Sequence, residues 1–264
     1  MTDPSRAHSF DEVATTYATV RPSYPGAVFD EIARVVAPPA RIVEIGPGPG
    51  LATLPLAERG YSILGVELGA NLARVARDRL AEYPSVEIVR ADFHDWLPSP
   101  PGSFDLVLAA SAFHWIDPVI GYAKASIALR AGGWLALVAN HPRPGRIGSR
   151  ARAFWEATDQ LYRRDAPALV ARRGIPPQRL PDRRPEMRRS GLFRAPERHT
   201  WRWRRSFDRD QYIGLLDTYS DHRTLPRRQR TRLYAAISEL IDRDFGGQAP
   251  REYRTELYLA QRMD

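Results

Sequence analysis

Between residues 41 and 140, short apolar runs alternate with longer segments whose apolar residues recur at helical spacing. The runs predict five strands, because each is short and rich in branched aliphatic side chains. The predicted strands are residues 41–45, 62–67, 86–91, 104–110 and 134–140, with helices between them at 51–59, 70–82 and 118–130. This alternation indicates a doubly wound α/β fold with a mostly parallel sheet, helices on both faces and ligands at the carboxyl ends of the strands.

The segments on either side of this region are predicted to extend and cover the sheet. Two helices, at residues 10–20 and 27–36, precede the first strand. Later residues predict helices at 148–169, 208–218 and 227–245, and a loop rich in proline and arginine at 174–185. Residues 199–204 alternate as a strand with arginine on one face. Residues 255–260 predict a final strand that pairs with it, antiparallel, at the sheet edge, so we expect one structural domain overall.

The composition excludes several classes of site. The chain has 264 residues and no cysteine, which excludes disulfides, cysteine-ligated metal centres and thiol nucleophiles. Its longest apolar runs are far shorter than the roughly 20 residues that cross a bilayer, and its first residues open no signal peptide. We therefore expect a soluble, cytoplasmic protein with no membrane span.

Positive charge is concentrated in the second half of the chain. Residues 1–140 hold 11 basic and 15 acidic side chains, whereas residues 141–264 hold 28 and 16, so their net charges are −4 and +12. Lys124 is the only lysine, against 38 arginines, a ratio typical of codon bias in a GC-rich genome. The paired arginines could bind phosphates or could be solvated surface, and the sequence leaves both interpretations open.

The first predicted strand ends in a glycine-rich loop that leads into a helix. The loop is Glu44-Ile45-Gly46-Pro47-Gly48-Pro49-Gly50, and glycine at every second position lets the backbone approach a ligand closely. A dinucleotide site has the spacing G-x-G-x-x-G, whose third glycine would here fall on Leu51. The spacing therefore disfavours a nicotinamide-dependent oxidoreductase.

The same loop resembles the first motif of the class I S-adenosylmethionine-dependent methyltransferases, in which an acidic residue precedes G-x-G-x-G. The resemblance implies a Rossmann-like sheet that binds S-adenosylmethionine, with S-adenosylhomocysteine as product, through Glu44, Gly46, Gly48 and Gly50. Residues 104–108 and 129–135 resemble the family's fourth-strand motif and its turn into the fifth strand. The resemblance covers residues 41–140 and does not identify the acceptor.

Two acidic residues occupy the positions that this family uses to hold the nucleoside. Glu67 ends the second predicted strand, where the family's carboxylate holds both ribose hydroxyls, and two acceptor oxygens suit a vicinal diol. Asp92 follows the third strand, where the family's carboxylate reaches the adenine amino group. The resemblance also implies that Phe93 lies against the adenine ring.

Two further segments resemble the methyltransferase type 11 group, which includes the trans-aconitate and ubiquinone/menaquinone methyltransferases. They are residues 17–25 and 111–117. In such relatives the N-terminal segment covers the cofactor, which implies that Tyr17 and Arg21 contact its methionine end and that Ser111 belongs to the cofactor site. The implied parts are an N-terminal cover at residues 1–40, a cofactor-binding core at 41–140 and a C-terminal part at 141–264 that completes the sheet and shapes the acceptor pocket.

Two histidines are candidates for proton transfer. Methyl transfer is an in-line displacement at a sulfonium, so proximity, alignment and exclusion of water are the protein's main contributions. An oxygen or carbon acceptor would gain from a nearby base, and the candidates are His114 after the fourth strand and His141 after the fifth. His114 could equally be a packed wall of the pocket. Near these strand ends, Asp117 and Asn140 offer too few oxygen ligands for a metal, so no metal site is predicted.

The sequence favours a methyltransferase that acts on oxygen or carbon of a small molecule. Residues 111–114 depart from the Asn/Asp-Pro-Pro-Tyr-like loop of adenine- and glutamine-modifying relatives. The alternative is an RNA methyltransferase or nucleic-acid-binding protein that uses the arginine-rich C-terminal half, although no RNA-binding motif is found. A non-catalytic relative that only binds the cofactor or a protein partner is a further alternative. The identity of the acceptor and the oligomeric state are left open.

Overall fold

A seven-stranded sheet runs through the centre of the molecule. The computed structural model describes residues 11–173 and 182–263, with residues 171–173 as backbone alone. The strands are β1 (Arg41–Ile45), β2 (Ser62–Glu67), β3 (Val86–Arg90), β4 (Phe104–Ala110), β5 (Leu129–Arg143), β6 (Glu197–Asp208) and β7 (Gln248–Gln261). They lie in the order β3-β2-β1-β4-β5-β7-β6, and β7 runs antiparallel to both of its neighbours whereas the remaining pairs are parallel. The predicted fold class is confirmed.

Helices cover both faces of this sheet. They are α1 (Ala14–Val20), α2 (Gly26–Val35), α3 (Thr53–Ala57), α4 (Ala70–Arg79), α5 (Pro118–Ala128), α6 (Arg150–Asp165), α7 (Pro167–Arg173), α8 (Arg184–Arg189), α9 (Arg209–Asp217), α10 (Ser220–Arg223) and α11 (Arg227–Phe245). Adjacent residues of β1 enter different cores: Ile42 packs with Phe29 of α2, and Val43 packs with Tyr122 of α5. A strand that is buried on both faces is mostly apolar, and in β1 only Arg41, which is exposed at its start, and the buried Glu44 near its end depart from this.

The element boundaries differ from the prediction where proline or glycine intervenes. The helix predicted at 148–169 is divided into α6 and α7 at Ala166, because Pro167 has no backbone N–H with which to continue the first helix. Strand β5 begins at Leu129 and contains the turn at Gly132, whose φ is +68°, so it is longer than the predicted strand. Helix α8 begins at Arg184, inside the loop predicted at 174–185. Residues 174–181 of that loop lie outside the described residues, and so does residue 10 of the first predicted helix.

The C-terminal strands form an antiparallel edge that meets a second hydrophobic core. Strand β7 lies between β5 and β6, with Leu259 opposite Ala136 and Thr255 opposite Trp201, as the predicted pairing of the last two strands requires. One face of β7 contributes Tyr253 to a core that also contains residues of α6, α9 and α11. Leu257, on the same strand, is fully buried against the central sheet. The C-terminal part therefore completes the sheet and adds a helical layer beside it.

No helix within residues 11–173 or 182–263 combines the length and the apolar character that a bilayer span requires.

The central position of β7 predicts a large stability effect from one buried side chain. Leu257→Ala is expected to lower the free energy of unfolding by about 2–5 kcal/mol, because it removes a fully buried side chain and leaves a cavity. The matched variant Leu97→Ala, at a side chain that is 67% exposed, is expected to change it by less than about 0.5 kcal/mol. Denaturant titration of both variants checks this, and equal effects would contradict the central role of β7.

Candidate functional site

A cavity of about 910 Å³ lies at the carboxyl ends of β1, β2, β4 and β5. This volume is typical of a small-molecule site. Eleven of the twelve predicted site residues line it: Tyr17, Arg21, Glu44, Gly46, Gly48, Glu67, Asp92, Phe93, Ser111, His114 and His141. Gly50, the twelfth, lies behind the wall. Its φ is +81°, and an added Cβ would come 3.0 Å from Cδ1 of Leu80, so Gly50 turns the chain and permits packing instead of lining the cavity.

The other two glycines of the loop face different surroundings. Gly46 has φ of +60°, and a Cβ there would lie 2.8 Å from Cβ of Ala112, so this position must be glycine for the loop to pass β4. Gly48 has φ of +57°, and a Cβ there would meet no atom of the described chain within 4 Å. Its open side therefore belongs to the cavity, where a ligand can approach the backbone.

Glu67 fastens the glycine loop to the end of β2. Its Oε2 accepts a hydrogen bond from Gly48 N at 2.9 Å, and its Oε1 accepts one from Gly69 N at 2.8 Å. Burial raises the pKa of Glu67, although the two backbone N–H groups oppose this effect. Each carboxylate oxygen has a further lone pair, so the side chain can hold the loop and still accept hydrogen bonds from a ligand.

Glu44 carries a carboxylate oxygen that lacks a donor. The residue is fully buried at the end of β1, and its Oε2 accepts a hydrogen bond from Thr53 Oγ1 at 2.7 Å. Its Oε1 is buried and accepts no hydrogen bond within the part of the chain that the structure describes. Burial, reinforced by the charge of Glu67 and opposed by Thr53, raises the pKa of Glu44 to about 7. A buried acceptor without a donor is rare. Glu44 is among the residues that line the cavity, but its side chain has no exposed surface, so a ligand in the cavity reaches this oxygen only if neighbouring groups move.

The opposite wall of the cavity combines a carboxylate with an aromatic ring. Asp92 Oδ1 accepts hydrogen bonds from the His94 backbone N at 2.8 Å and from the His94 ring at 2.9 Å. Partial burial raises the pKa of Asp92, but the His94 hydrogen bonds outweigh it, and the net shift is downward. Phe93 is buried and stacks on Trp96 with ring centroids 5.9 Å apart. Lys124 Nζ donates to the carbonyls of Phe93 and Trp96 and fixes this turn.

The segment after α1 is fastened across the cavity. Tyr24 donates its hydroxyl to Ser111 Oγ at 2.9 Å, and Ser111 adopts φ of +58° at the end of β4. Ser23 Oγ donates to the Leu51 carbonyl, and Asn140 Nδ2 donates to the Ser23 carbonyl at 3.0 Å. These three hydrogen bonds tie the N-terminal segment to the glycine loop, β4 and β5.

Arg21 is held by the C-terminal part of the chain. Its Nε donates to Thr218 Oγ1 at 2.7 Å and its Nη2 to the Thr218 carbonyl at 2.8 Å. The guanidinium lies between the rings of Tyr17 and Tyr219, 4.8 and 4.4 Å from their centroids. Two of its three nitrogens thus bond to Thr218, which leaves Nη1 for a ligand. The sequence gives no signal for Thr218 or Tyr219, which lie in a weakly patterned region about 200 residues away in the chain.

Two histidines, His114 and His141, also line the cavity, together with Arg183. His114 lies in the short 3₁₀ turn Phe113–Trp115 after β4, with its ring 4.7 Å from that of Trp115. Its side chain is exposed to the cavity, whose walls desolvate the cationic form. This desolvation, together with the charges of Arg183, His141 and Arg21, lowers the pKa of His114 to about 4. His114 is therefore a neutral imidazole at physiological pH.

A buried carboxylate, which sequence analysis missed, lies beside His141. Glu256 accepts from Arg198 at 2.6 Å and from Arg254 at 2.5 Å, and its Oε2 lies 3.6 Å from His141 Nε2. Tyr258 donates its hydroxyl to the same carboxylate. Burial raises the pKa of Glu256, but His141 and the arginines outweigh this and lower it to about 2. Glu256 lies in β7, where the sequence predicted a final strand but gave no sign that this carboxylate is buried.

Metal ligands are not clustered at this site. Within the described ranges no group of three or more histidine or acidic side chains is arranged to hold a metal ion. Asp117, which the sequence places near the site, instead caps α5 by accepting hydrogen bonds from the backbone N of Val119 and Ile120. Asn140, the other oxygen donor of that region, bonds to Ser23 and accepts from Thr255.

Comparison with known proteins assigns the core of the chain. Residues 43–137 match the type 11 family model described as "Methyltransferase domain". An uncharacterised methyltransferase of Mycobacterium tuberculosis is 27% identical over 88% of this chain and 85% of its own length. A trans-aconitate 2-methyltransferase of Rhodopseudomonas palustris is 33% identical, but over only 46% of this chain and 47% of its own length.

Solved structures share the fold. A candidate type II methyltransferase of Anaeromyxobacter dehalogenans superposes with a TM-score of 0.58 and 24% identity over 92% of this chain and 96% of its own. Phosphoethanolamine N-methyltransferase 2 of Haemonchus contortus, solved with phosphomonomethylethanolamine and S-adenosylhomocysteine, gives a TM-score of 0.56 at 16% identity. The match covers 96% of this chain but 58% of the Haemonchus protein.

The domain match and the relatives over nearly the whole chain agree with the methyltransferase resemblance of the glycine loop and strand ends. Residues 43–137 are thus a methyltransferase domain, and the relative that is similar over nearly the whole chain is a methyltransferase by name.

Proposed function

We propose that this enzyme methylates an oxygen or carbon nucleophile of a small-molecule acceptor in the cavity at the carboxyl ends of the sheet. The open side of Gly48 carries the proposal, together with the lone pairs that the Glu67 carboxylate keeps at the same cavity. Both features leave room or a hydrogen-bond acceptor that a ligand in the cavity can use. We propose that three parts of the chain contribute to the site: residues 1–40 cover the cofactor, residues 41–140 bind it, and residues 141–264 complete the sheet and shape the acceptor pocket.

The residues around the glycine loop fit S-adenosylmethionine group by group. Glu67 offers the free lone pairs of its two oxygens to a ribose diol. Asp92 has Oδ2 available for an amino group of the base, and Phe93 offers an apolar surface next to it. Arg21 and Tyr17 line the same cavity and are proposed to contact the methionine end of the cofactor. Nη1 of Arg21 can pair with the carboxylate of that end. The bound cofactor supplies a methyl group on a sulfonium, which is already a good leaving group.

At the acceptor end, His114 is proposed as the general base. A pKa of about 4 keeps its imidazole neutral and able to accept a proton at physiological pH. His141 is the weaker candidate, because its Nε2 lies 3.6 Å from the Glu256 carboxylate. The N-terminal segment, held by Tyr24 and Asn140, would keep water from the reacting groups.

A small acceptor is favoured over RNA by how the C-terminal arginines are used. Many pair with carboxylates on their own or neighbouring helices, as Arg163 does with Asp159 and Arg209 does with Asp242. Such pairs neutralise part of the charge, but residues 141–264 still carry a net charge of +12, so the stronger support for a small acceptor is the cavity, whose volume is typical of a small-molecule site. The trans-aconitate methyltransferase relatives, which act on a small molecule by name, support the same conclusion.

Calorimetric titration with S-adenosylhomocysteine, with NAD as a parallel control, tests the cofactor site. We expect S-adenosylhomocysteine alone to bind. Glu67→Ala should weaken that binding by about 1–3 kcal/mol, because hydrogen bonds to an ionised group are lost. The matched variant Glu87→Ala, at an exposed position on β3, should bind as the wild type does. In a second arm, methyl-labelled S-adenosylmethionine should label a small-molecule extract; label only in RNA would overturn the proposed acceptor class.

A matched pair of glycine variants separates loop strain from ligand contact. Gly48→Ala and Gly60→Ala both place a side chain at positive φ, at positions where nothing of the described chain lies within 4 Å. Each should destabilise the fold by about 1–2 kcal/mol. Only Gly48→Ala should also weaken S-adenosylhomocysteine binding, by at least about tenfold, since its methyl group would enter the cavity. Denaturation and calorimetry measure the two effects, and similar affinities for both variants would place the ligand elsewhere.

The His114→Ala variant tests the proposed base. We expect kcat to fall by about 10²- to 10⁴-fold while the affinity for S-adenosylhomocysteine changes little. In the wild type, kcat/KM should show no inflection near pH 6.5, because the imidazole stays unprotonated until the pH falls toward 4. Full activity in His114→Ala would contradict the assignment of the base, whereas an inflection near 6.5 that this variant abolishes would keep His114 as the base and contradict its lowered pKa.

A further inference from the structure

One face of the antiparallel edge is unusually rich in arginine. The side chains of alternate residues of β5, β6 and β7 share this face, because successive side chains of a strand point to opposite sides. We call it the arginine face and define it by five residues: Arg143 of β5, Arg254 of β7, and Arg198, Arg202 and Arg204 of β6. In the strand register, Arg254 lies between Arg202 on one side and His141 on the other.

Two buried carboxylates share this face and neutralise only part of its charge. Glu256 pairs with Arg198 and Arg254, and Glu252 lies 3.6 Å from Arg204. Neither Arg143 nor Arg202 forms an ion pair with a carboxylate of residues 11–173 or 182–263. The face therefore carries a net positive charge even after its internal ion pairs are counted.

Arg143 shows the effect of this charge imbalance on a partly buried side chain. Its Nη1 is buried and has no hydrogen-bond partner in the described chain. Burial lowers the pKa of Arg143, and the nearby charges of Arg254 and Arg202 lower it further, against the weaker opposite effect of Glu252 and Glu256. Like charges on adjacent strands and an unsatisfied buried donor both destabilise a fold. The buried Oε2 of Glu252, opposite Arg143 in the register, lacks a donor as well, so the charge of this face that an anion can meet is that of the exposed Arg202 beside Arg143.

The arginine face is continuous with the acceptor end of the cavity. Glu256 and His141 both line the cavity, and Glu256 is bonded directly to Arg254 of the face. Arg202, beside Arg254 in the register, is exposed, so the face is open to solvent at this point. An acceptor whose reactive atom lies near His114 could thus extend a second group past Glu256 toward Arg143.

We propose that the acceptor is an oxyacid anion, and that Arg143 and Arg202 bind the carboxylate or phosphate group that lies farthest from its methylated atom. This rests on the proposed methyl transfer in the same cavity. A guanidinium presents parallel N–H groups that match two oxygens of a carboxylate or phosphate, and such charge-assisted hydrogen bonds are strong. The anion would contact the exposed Arg202 and would offset the repulsion among Arg143, Arg202 and Arg254.

Calorimetric titration of the full chain, saturated with S-adenosylhomocysteine, tests this directly. Citrate and inorganic phosphate are the probes, at neutral pH and constant ionic strength. We expect at least one of them to bind, and the tighter one indicates which oxyacid the face selects. Arg202→Gln and Arg143→Gln should each weaken that binding by about tenfold or more, whereas Arg202→Lys, which keeps the charge, should retain part of it.

The control variant is Arg228→Gln, an exposed arginine on α11, which packs against the opposite face of β7. It should bind the probe as the wild type does, and all variants should bind S-adenosylhomocysteine with unchanged affinity, which also confirms that Arg143→Gln is folded. If S-adenosylhomocysteine binds but neither anion does, or if Arg202→Gln binds the anion as well as the wild type, the anion site is refuted and the methyltransferase assignment stands. Salt-dependent binding of a single-stranded RNA that Arg202→Gln abolishes, without anion binding, would refute it in favour of a nucleic acid. Failure to bind S-adenosylhomocysteine would instead refute the proposed function.

Discussion

The hydrogen bonds that Glu67 accepts are the constraint on which the site depends. The carboxylate takes the backbone N–H of Gly48 on one oxygen and that of Gly69 on the other, so one side chain joins the end of β2 to the loop after β1 and to the start of α4. Two short connections that would otherwise vary in shape are fixed against each other. The cavity floor follows from this, because the open side of Gly48 can face a ligand only while the loop is held in place.

The roof of the cavity is built from contacts between parts of the chain that are distant in sequence. Arg21 is fixed by Thr218, and Ser23 is fixed by both the glycine loop and β5. The N-terminal segment therefore joins the parallel core to the helical layer of the C-terminal part. The proposed cofactor cover and the proposed acceptor wall are therefore in contact, since the Arg21 side chain packs on Tyr17 of the N-terminal segment and on Tyr219 of the C-terminal part.

The sequence predicted what depends on local pattern and missed what depends on pairing across the chain. Strands β1 to β5 follow from short apolar runs, and β6 follows from alternation, because burial on two faces or one imposes those patterns. The glycines and Glu67 were predicted as site residues, but not that Glu67 holds Gly48. Arg21 was expected to meet a ligand, yet no local signal could reveal that Thr218 bonds to two of its nitrogens. Glu256 was missed because the sequence does not distinguish a buried carboxylate from a solvent-facing one until its arginine partners are located.

The position of β7 between β5 and β6 has a consequence for how the chain folds during synthesis. The ribosome delivers β5 and β6 well before β7, yet neither pairs with the other, so each presents an open edge until the later strand inserts between them. Unpaired edges invite association with other chains. Like charges along an edge strand oppose its pairing with a second copy, and because β6 is the outermost strand of the finished sheet, its arginines have this effect before and after β7 inserts.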